Sequence, residues 1–205
     1  MVAISIKTDF TELDRRLSRL SYAVRERATP AALNKVIAKA KTEMTRAITS
    51  EFNLRSDEVR TTLRIFNARR QTKDWVAVLD PFGSKRKKGT TINLIRFVEK
   101  RVSLAEGRRR AKAGVRDQVF FKIKKSGGKQ TLRGAFIATS RRTGGTAVFT
   151  RVGKERYPIE AKQTIDIPQM FNTRRIQNAV LARIDKELVI EFDRAIKAAL
   201  AGNIR

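Results

Sequence analysis

The C-terminal segment limits most tightly what this chain can fold into. Between Thr173 and Ala201, the residues Leu181, Ile184, Leu188, Phe192, Ala195 and Ala199 recur at an average spacing of 3.6, so a helix places them on one straight apolar stripe. Val180, Val189, Ile190, Ile196 and Leu200 widen that stripe beyond what one packed side can cover. A helix this apolar needs two covered sides, supplied by its own domain or by another subunit. Leu188, Phe192, Ile196 and Leu200 are the candidate contacts with a second copy, and Gly202 suits the C′ position that ends the helix.

Upstream the periodicity changes several times. Val2 to Lys7 alternates as a short strand does. Leu13, Leu17, Leu20 and Val24 then predict a helix from Thr11 to about Arg27, with Asp9 and Glu12 near its start. Thr29-Pro30 reads as an N-cap followed by proline at the first helical position, opening a second helix through about Phe52. Its apolar face is Leu33, Ile37, Ala40, Met44, Ile48 and Phe52, with Lys35, Lys39 and Arg46 opposite. Ser56-Asp57-Glu58 starts a third helix that ends near Leu63.

Period-two runs follow. Arg64 to Ala68 and Asp74 to Leu79 predict two strands joined through Arg69-Arg70-Gln71, the second ended by Pro81-Phe82-Gly83. Val119 to Lys125, Gly134 to Thr139 and Ala147 to Val152 predict three more, separated by Ser126-Gly127-Gly128 and Thr143-Gly144-Gly145. Such glycine pairs supply the positive φ of tight hairpins, so an antiparallel meander is expected. The expected fold class is α+β: N-terminal helices, a small antiparallel β-sheet with hairpins, and a long C-terminal helix. The 205 residues suffice for one domain with a continuous core. A basic extension or loop at about 84–118 is expected to order only in part until it meets a partner.

Cysteine and histidine are both absent. That excludes disulfides, thiolate nucleophiles and cysteine-held zinc, and leaves no side chain that titrates near neutrality unless its environment shifts it. It fits a reducing cytoplasm. No stretch approaches 18 apolar residues, and Met1 to Lys7 lacks the basic and apolar regions of a secretory signal, so a soluble, unsecreted chain with no membrane partner is expected.

The formal charge of +26 is unevenly spread. Residues 84–142 hold 19 Lys+Arg against 3 Asp+Glu, a net +16. Clustered like charges repel and require water, salt or an anionic partner. The candidate contacts are Lys85, Arg86, Lys87, Lys88, Arg108, Arg109, Arg110, Lys112, Lys122, Lys124, Lys125, Arg141 and Arg142. These side chains can neutralise phosphate without reading bases, so contact with double-stranded DNA would be nonspecific and strongly salt-dependent. An acidic protein surface would satisfy the same charges.

Two enzymatic readings fail on pattern. Glu160-Ala161-Lys162 is half of a nuclease metal signature, but the upstream window where an acidic partner is required holds only Glu155, in a polar turn. Gly127-Gly128 and Gly144-Gly145 lack both the strand-to-helix context and the Gly-Lys-Ser/Thr ending of a phosphate loop. No cofactor, metal or catalytic residue is expected.

The stretch Leu132 to Ile159, LRGAFIATSRRTGGTAVFTRVGKERYPI, resembles the minor tail protein Z family of tailed bacteriophages. The resemblance is carried by Gly134-Ala135-Phe136-Ile137, by Arg151-Val152-Gly153-Lys154 and by Arg156-Tyr157-Pro158-Ile159. It implies a tail-completion or neck component of the virion, added late in tail assembly in the host cytoplasm, which acts in head–tail joining and DNA passage. The implied partners are other tail and neck proteins, further copies of itself in a ring, and the passing genome. The motif residues also read simply as a fold signature: apolar ones packing a sheet, glycines setting turns. A freely acting nonspecific nucleic-acid-binding protein is the competing functional reading.

Overall fold

The computed structural model describes residues 21–71, 74–81, 92–98, 118–139, 144–153, 155 and 157–202. Their elements run α1 (Tyr22–Glu51), α2 (Ser56–Thr62), β1 (Arg64–Gln71), β2 (Asp74–Asp80), a 3₁₀ turn (Leu94–Phe97), β3 (Gln118–Phe121), β4 (Gln130–Arg133), β5 (Ala135–Thr139), β6 (Thr146–Arg151), β7 (Ile159–Ala161), α3 (Ile167–Phe171) and α4 (Arg174–Leu200). The fold is α+β as expected. The chain forms two compact units, one from Met1–Ile48, Ser56–Lys87 and Pro168–Arg205, the other from Thr49–Arg55 and Lys88–Ile167. The strand expected over residues 2–7 and the helix start at Thr11 lie outside the described residues.

The first unit is built on α1 and α4. Ala28, Ala32, Val36, Ala40, Met44 and Ile48 follow one another at intervals of four along α1 and are all buried. Pro30 does not open a helix here. It lies inside a 30-residue helix that begins at Tyr22. Proline removes the N–H that would bond back one turn and crowds the preceding carbonyl, which costs a helix interior about 3 kcal/mol. The buried alanines on either side, Ala28 and Ala32, keep the helix packed through that defect. Thr29-Pro30 is therefore a weak point within one helix and not a boundary between two.

A short α2 follows, with Asp57 and Glu58 in its first turn, where carboxylates suit the helix dipole. Lys41 Nζ donates to the Leu63 carbonyl at 2.8 Å and so satisfies a backbone acceptor just past the end of α2. Strands β1 and β2 pair antiparallel from Arg64↔Asp80 to Gln71↔Asp74, with a bulge between Phe66 and Arg69. The expected turn Arg69-Arg70-Gln71 belongs to the ladder instead. At the bulge the Ala68 N–H has no strand partner and donates to Asn34 Oδ1 of α1 at 2.7 Å.

Along α4, the residues Ile176, Val180, Ile184, Leu188 and Phe192 are buried at intervals of four, beside a second buried row of Glu187, Glu191, Ala195 and Ala199. The helix ends where the periodicity predicts, with Gly202 at φ +74°.

The second unit holds the remaining sheets. Here β3 pairs with β4, and β5, β6 and β7 form a three-stranded antiparallel sheet. The expected three-strand meander is thus replaced by two sheets from five strands. The segments Gln130–Arg133 and Ile159–Ala161 gave no period-two signal, being short and mostly exposed. Gly144 has the positive φ expected of a turn glycine, at +65°, and so does Gly134 between β4 and β5, at +72°; Gly127 and Gly128 do not.

Within the segment expected as a basic loop, Ile92 to Val98 contains the 3₁₀ turn, flanked by single bridges, Asn93↔Gln163 and Val98↔Phe121. Leu94, Ile95 and Phe97 are buried. Asn93 Oδ1 accepts from Ile95 N and from Val148 N, both at 3.0 Å, so one side-chain oxygen caps the turn and occupies the ladder position beyond the end of β7. Residues Thr49–Arg55 join this unit through the end of α1 and a single antiparallel bridge, Phe52↔Lys124: Asn53 N donates to Ile123 O, and Lys125 N to Glu51 O, both at 2.8 Å.

Candidate interaction surfaces

Most of the expected basic contacts, Lys85 to Lys88, Arg108 to Arg110, Lys112, Arg141 and Arg142, lie outside the described residues. Lys122, Lys124 and Lys125 are described. Lys122 is half-buried, and its N–H donates to Phe97 O at 3.0 Å. Lys124 Nζ lies 3.5 Å from Glu51 Oε1 and 5.8 Å from the Phe52 ring centroid, so part of its charge is balanced within the chain. Lys125 is exposed.

The motif residues shape the β5–β6–β7 sheet. Ala135 is fully buried, and Ile137 pairs across the ladder with the fully buried Val148. On the other face Phe136 stacks on Phe149 with ring centroids 6.2 Å apart, and the Arg151 guanidinium lies 5.1 Å from the Phe136 centroid. Ile159 pairs with Arg151, and Val152 N donates to Pro158 O at 3.1 Å. Gly153, Tyr157 and Pro158 are exposed at this end of the hairpin. Arg156 lies outside the described residues.

Glu160 and Lys162 form a solvated pair, 3.5 Å apart, on and just past β7. Among the described residues no three acidic side chains gather as a metal site would require.

The four expected second-copy contacts divide. Leu188 and Phe192 are buried within this chain. Ile196 is half-buried and Leu200 is 64% exposed, and Val189 joins them at 44%. The apolar surface left outside is therefore narrower than the sequence suggests, and it is centred on Val189, Ile196 and Leu200. No helix among the described residues is long and apolar enough to cross a membrane.

A cluster that the sequence did not reveal lies in the first unit. Lys39, expected on the solvated face of its helix, is one-third exposed and donates to Glu187 Oε2 and to Glu191 Oε1, each at 2.5 Å. Arg183 holds the other oxygen of Glu187 at 2.8 Å, and Arg194 donates to Glu191 at 2.6 Å. Hydrogen bonds from the shared ammonium hold both carboxyls below their ordinary pKa of 4.5, against the opposing effect of burial. The same bonds raise Lys39 above 10.5. Two glutamates four apart inside an otherwise apolar stripe were the available signal.

A family model described as prophage minor tail protein Z (GPZ) matches residues 12–203. No curated protein and no solved structure matches the chain. With nearly the whole length matched, the chain belongs to the prophage minor tail protein Z family, a family of structural phage tail proteins.

Proposed function

We propose that this minor tail protein completes the tail at the neck, supporting head–tail joining and DNA passage, and that it acts as a non-catalytic component without a cofactor. The observation that carries the reading is the net +16 confined to residues 84–142. A tail component beside the path of the genome meets a dense line of phosphates and needs no base readout, which suits runs of lysine and arginine. Several copies assemble in the host cytoplasm as a ring, a reading supported by the exposed Val189 and Leu200 on α4.

The test is complementation of a phage lacking this protein with a variant carrying Lys85, Arg86, Lys87, Lys88, Arg108, Arg109 and Arg110 all changed to Glu. The expected result is assembled tails and few infectious particles. Unchanged infectivity overturns the role given to the charge. Tight, steeply salt-dependent binding of the isolated protein to free DNA at physiological salt, with no affinity for tail or neck proteins, would favour a freely acting nucleic-acid-binding protein instead.

A further inference from the structure

Strands β3 and β4 form an antiparallel ribbon whose two faces differ in kind. Val119 and Phe121 are buried, and the strand period of two sets Phe120 and Lys122 on the opposite, outer face. Phe120 is 48% exposed. Its cross-strand partner Thr131 is exposed, and Arg133, two residues further along β4, shares that face and is exposed as well. Lys122 is half-buried.

Between Gln118 and Arg133 the sequence holds Lys122, Lys124, Lys125, Lys129 and Arg133 and no carboxylate. Glu51, 3.5 Å from Lys124, balances part of that charge. Lys125 and Lys129, on either side of Ser126-Gly127-Gly128, are exposed. The outer face therefore presents an exposed aromatic ring with cations on both strands and around the turn. Such a surface suits a partner that offers an apolar floor between two lines of negative charge.

The major groove of duplex DNA has that form. It is about 12 Å wide, admits a two-stranded ribbon, and has a floor of base edges that includes thymine methyl groups. Two strands about 4.8 Å apart, together with their side chains, match that width. Lysine and arginine at the rim can reach phosphates on both walls while the ring lies on the floor. An extended acidic peptide supplies one line of charge, where this face carries cations on both strands.

We infer that the outer face of the β3–β4 ribbon docks in the major groove of duplex DNA, with Lys125, Lys129 and Arg133 on phosphates and Phe120 on the groove floor. The inference rests on the proposed contact with the genome and assigns that contact to one surface of the second unit.

The test is fluorescence anisotropy of a labelled duplex of mixed sequence with the full-length protein, titrated between about 50 and 200 mM salt. Removing three phosphate contacts in K125Q/K129Q/R133Q should make the slope of log K against log salt shallower by about 2.7, or about 0.9 for each charge. F120A should weaken binding about fivefold at an unchanged slope, because it removes apolar contact alone. Methyl green, which occupies the major groove, should displace the protein, and netropsin, which occupies the minor groove, should not. If the triple variant loses circular dichroism, K125Q and R133Q singly carry the same test, with a slope change of about 0.9 each.

Equal slopes for the parent and the charge variants overturn the inference, as does displacement by netropsin alone. Tighter binding to poly-glutamate than to the duplex overturns it in favour of an acidic protein partner. If only the variant with Lys85, Arg86, Lys87, Lys88, Arg108, Arg109 and Arg110 changed loses slope, the DNA contact lies in those basic runs, and the ribbon assignment falls while the proposed function stands. A parent protein that does not bind duplex overturns the inference as well, whereas the role in the tail is judged separately by infectivity in complementation.

Discussion

Asn93 Oδ1 stands 3.0 Å from the Val148 N–H and accepts its hydrogen bond where β7 has ended. The same oxygen accepts from Ile95 N. Asn93→Ala leaves two partly buried donors without an acceptor, at a cost of about 1–3 kcal/mol. Urea unfolding should show a lower midpoint at unchanged m-value, with Asn93→Asp, which keeps the acceptor, recovering most of the loss.

Pro30 interrupts the hydrogen-bond ladder of α1 without breaking the helix. Pro30→Ala restores a donor and relieves the ring's clash with the preceding turn, so stability should rise by about 1–3 kcal/mol. Helical circular dichroism and thermal unfolding measure this. A fall in stability would mean that Pro30 begins a separate helix after all.

Gly134 and Gly128 make a matched pair of probes. Nothing crowds a Cβ at either, but Gly134 has φ +72° and Gly128 is not in the left-handed region. Gly134→Ala should cost about 1–2 kcal/mol through backbone strain alone, whereas Gly128→Ala should lie within about 0.5 kcal/mol of the parent. Equal effects at the two sites would contradict the assigned turn.

The Lys39 cluster fixes a pH dependence at both ends of the scale. Glu187 and Glu191 have lowered folded-state pKa values, so their contribution is present above the ordinary value of 4.5 and is lost as pH falls through the folded values. Lys39 is raised, so its contribution is present below 10.5 and is lost as pH rises through its folded value. Stability measured against pH should decline at both extremes. The acid decline should be shallower in E187Q/E191Q than in the parent.

Much of this fold is visible in the residue pattern because its signals are local. The α4 stripe and its glycine stop, the Ser56 start of α2 and the β1–β2 pair all depend on spacings within a few residues. Elements that depend on distant partners are not visible in that way. Ile92 to Val98 takes its form from the sheet edge that Asn93 completes, and Ile159–Ala161 is a strand only because β6 lies beside it. Lys39 shows the same limit: helical spacing assigns it to solvent, and only the approach of α4 turns it inward. The thirteen basic residues proposed as contacts were identified by composition, and Lys122, Lys124 and Lys125 show how differently such residues can be placed once folded.

The place of the protein in the particle is tested most directly by electron cryomicroscopy of intact virions. Several copies arranged as a ring at the head-proximal end of the tail, with residues 84–142 facing the DNA channel, are the expected result. Density for this chain at the opposite end of the tail, or particles that lack it altogether, would overturn the proposed role at the neck.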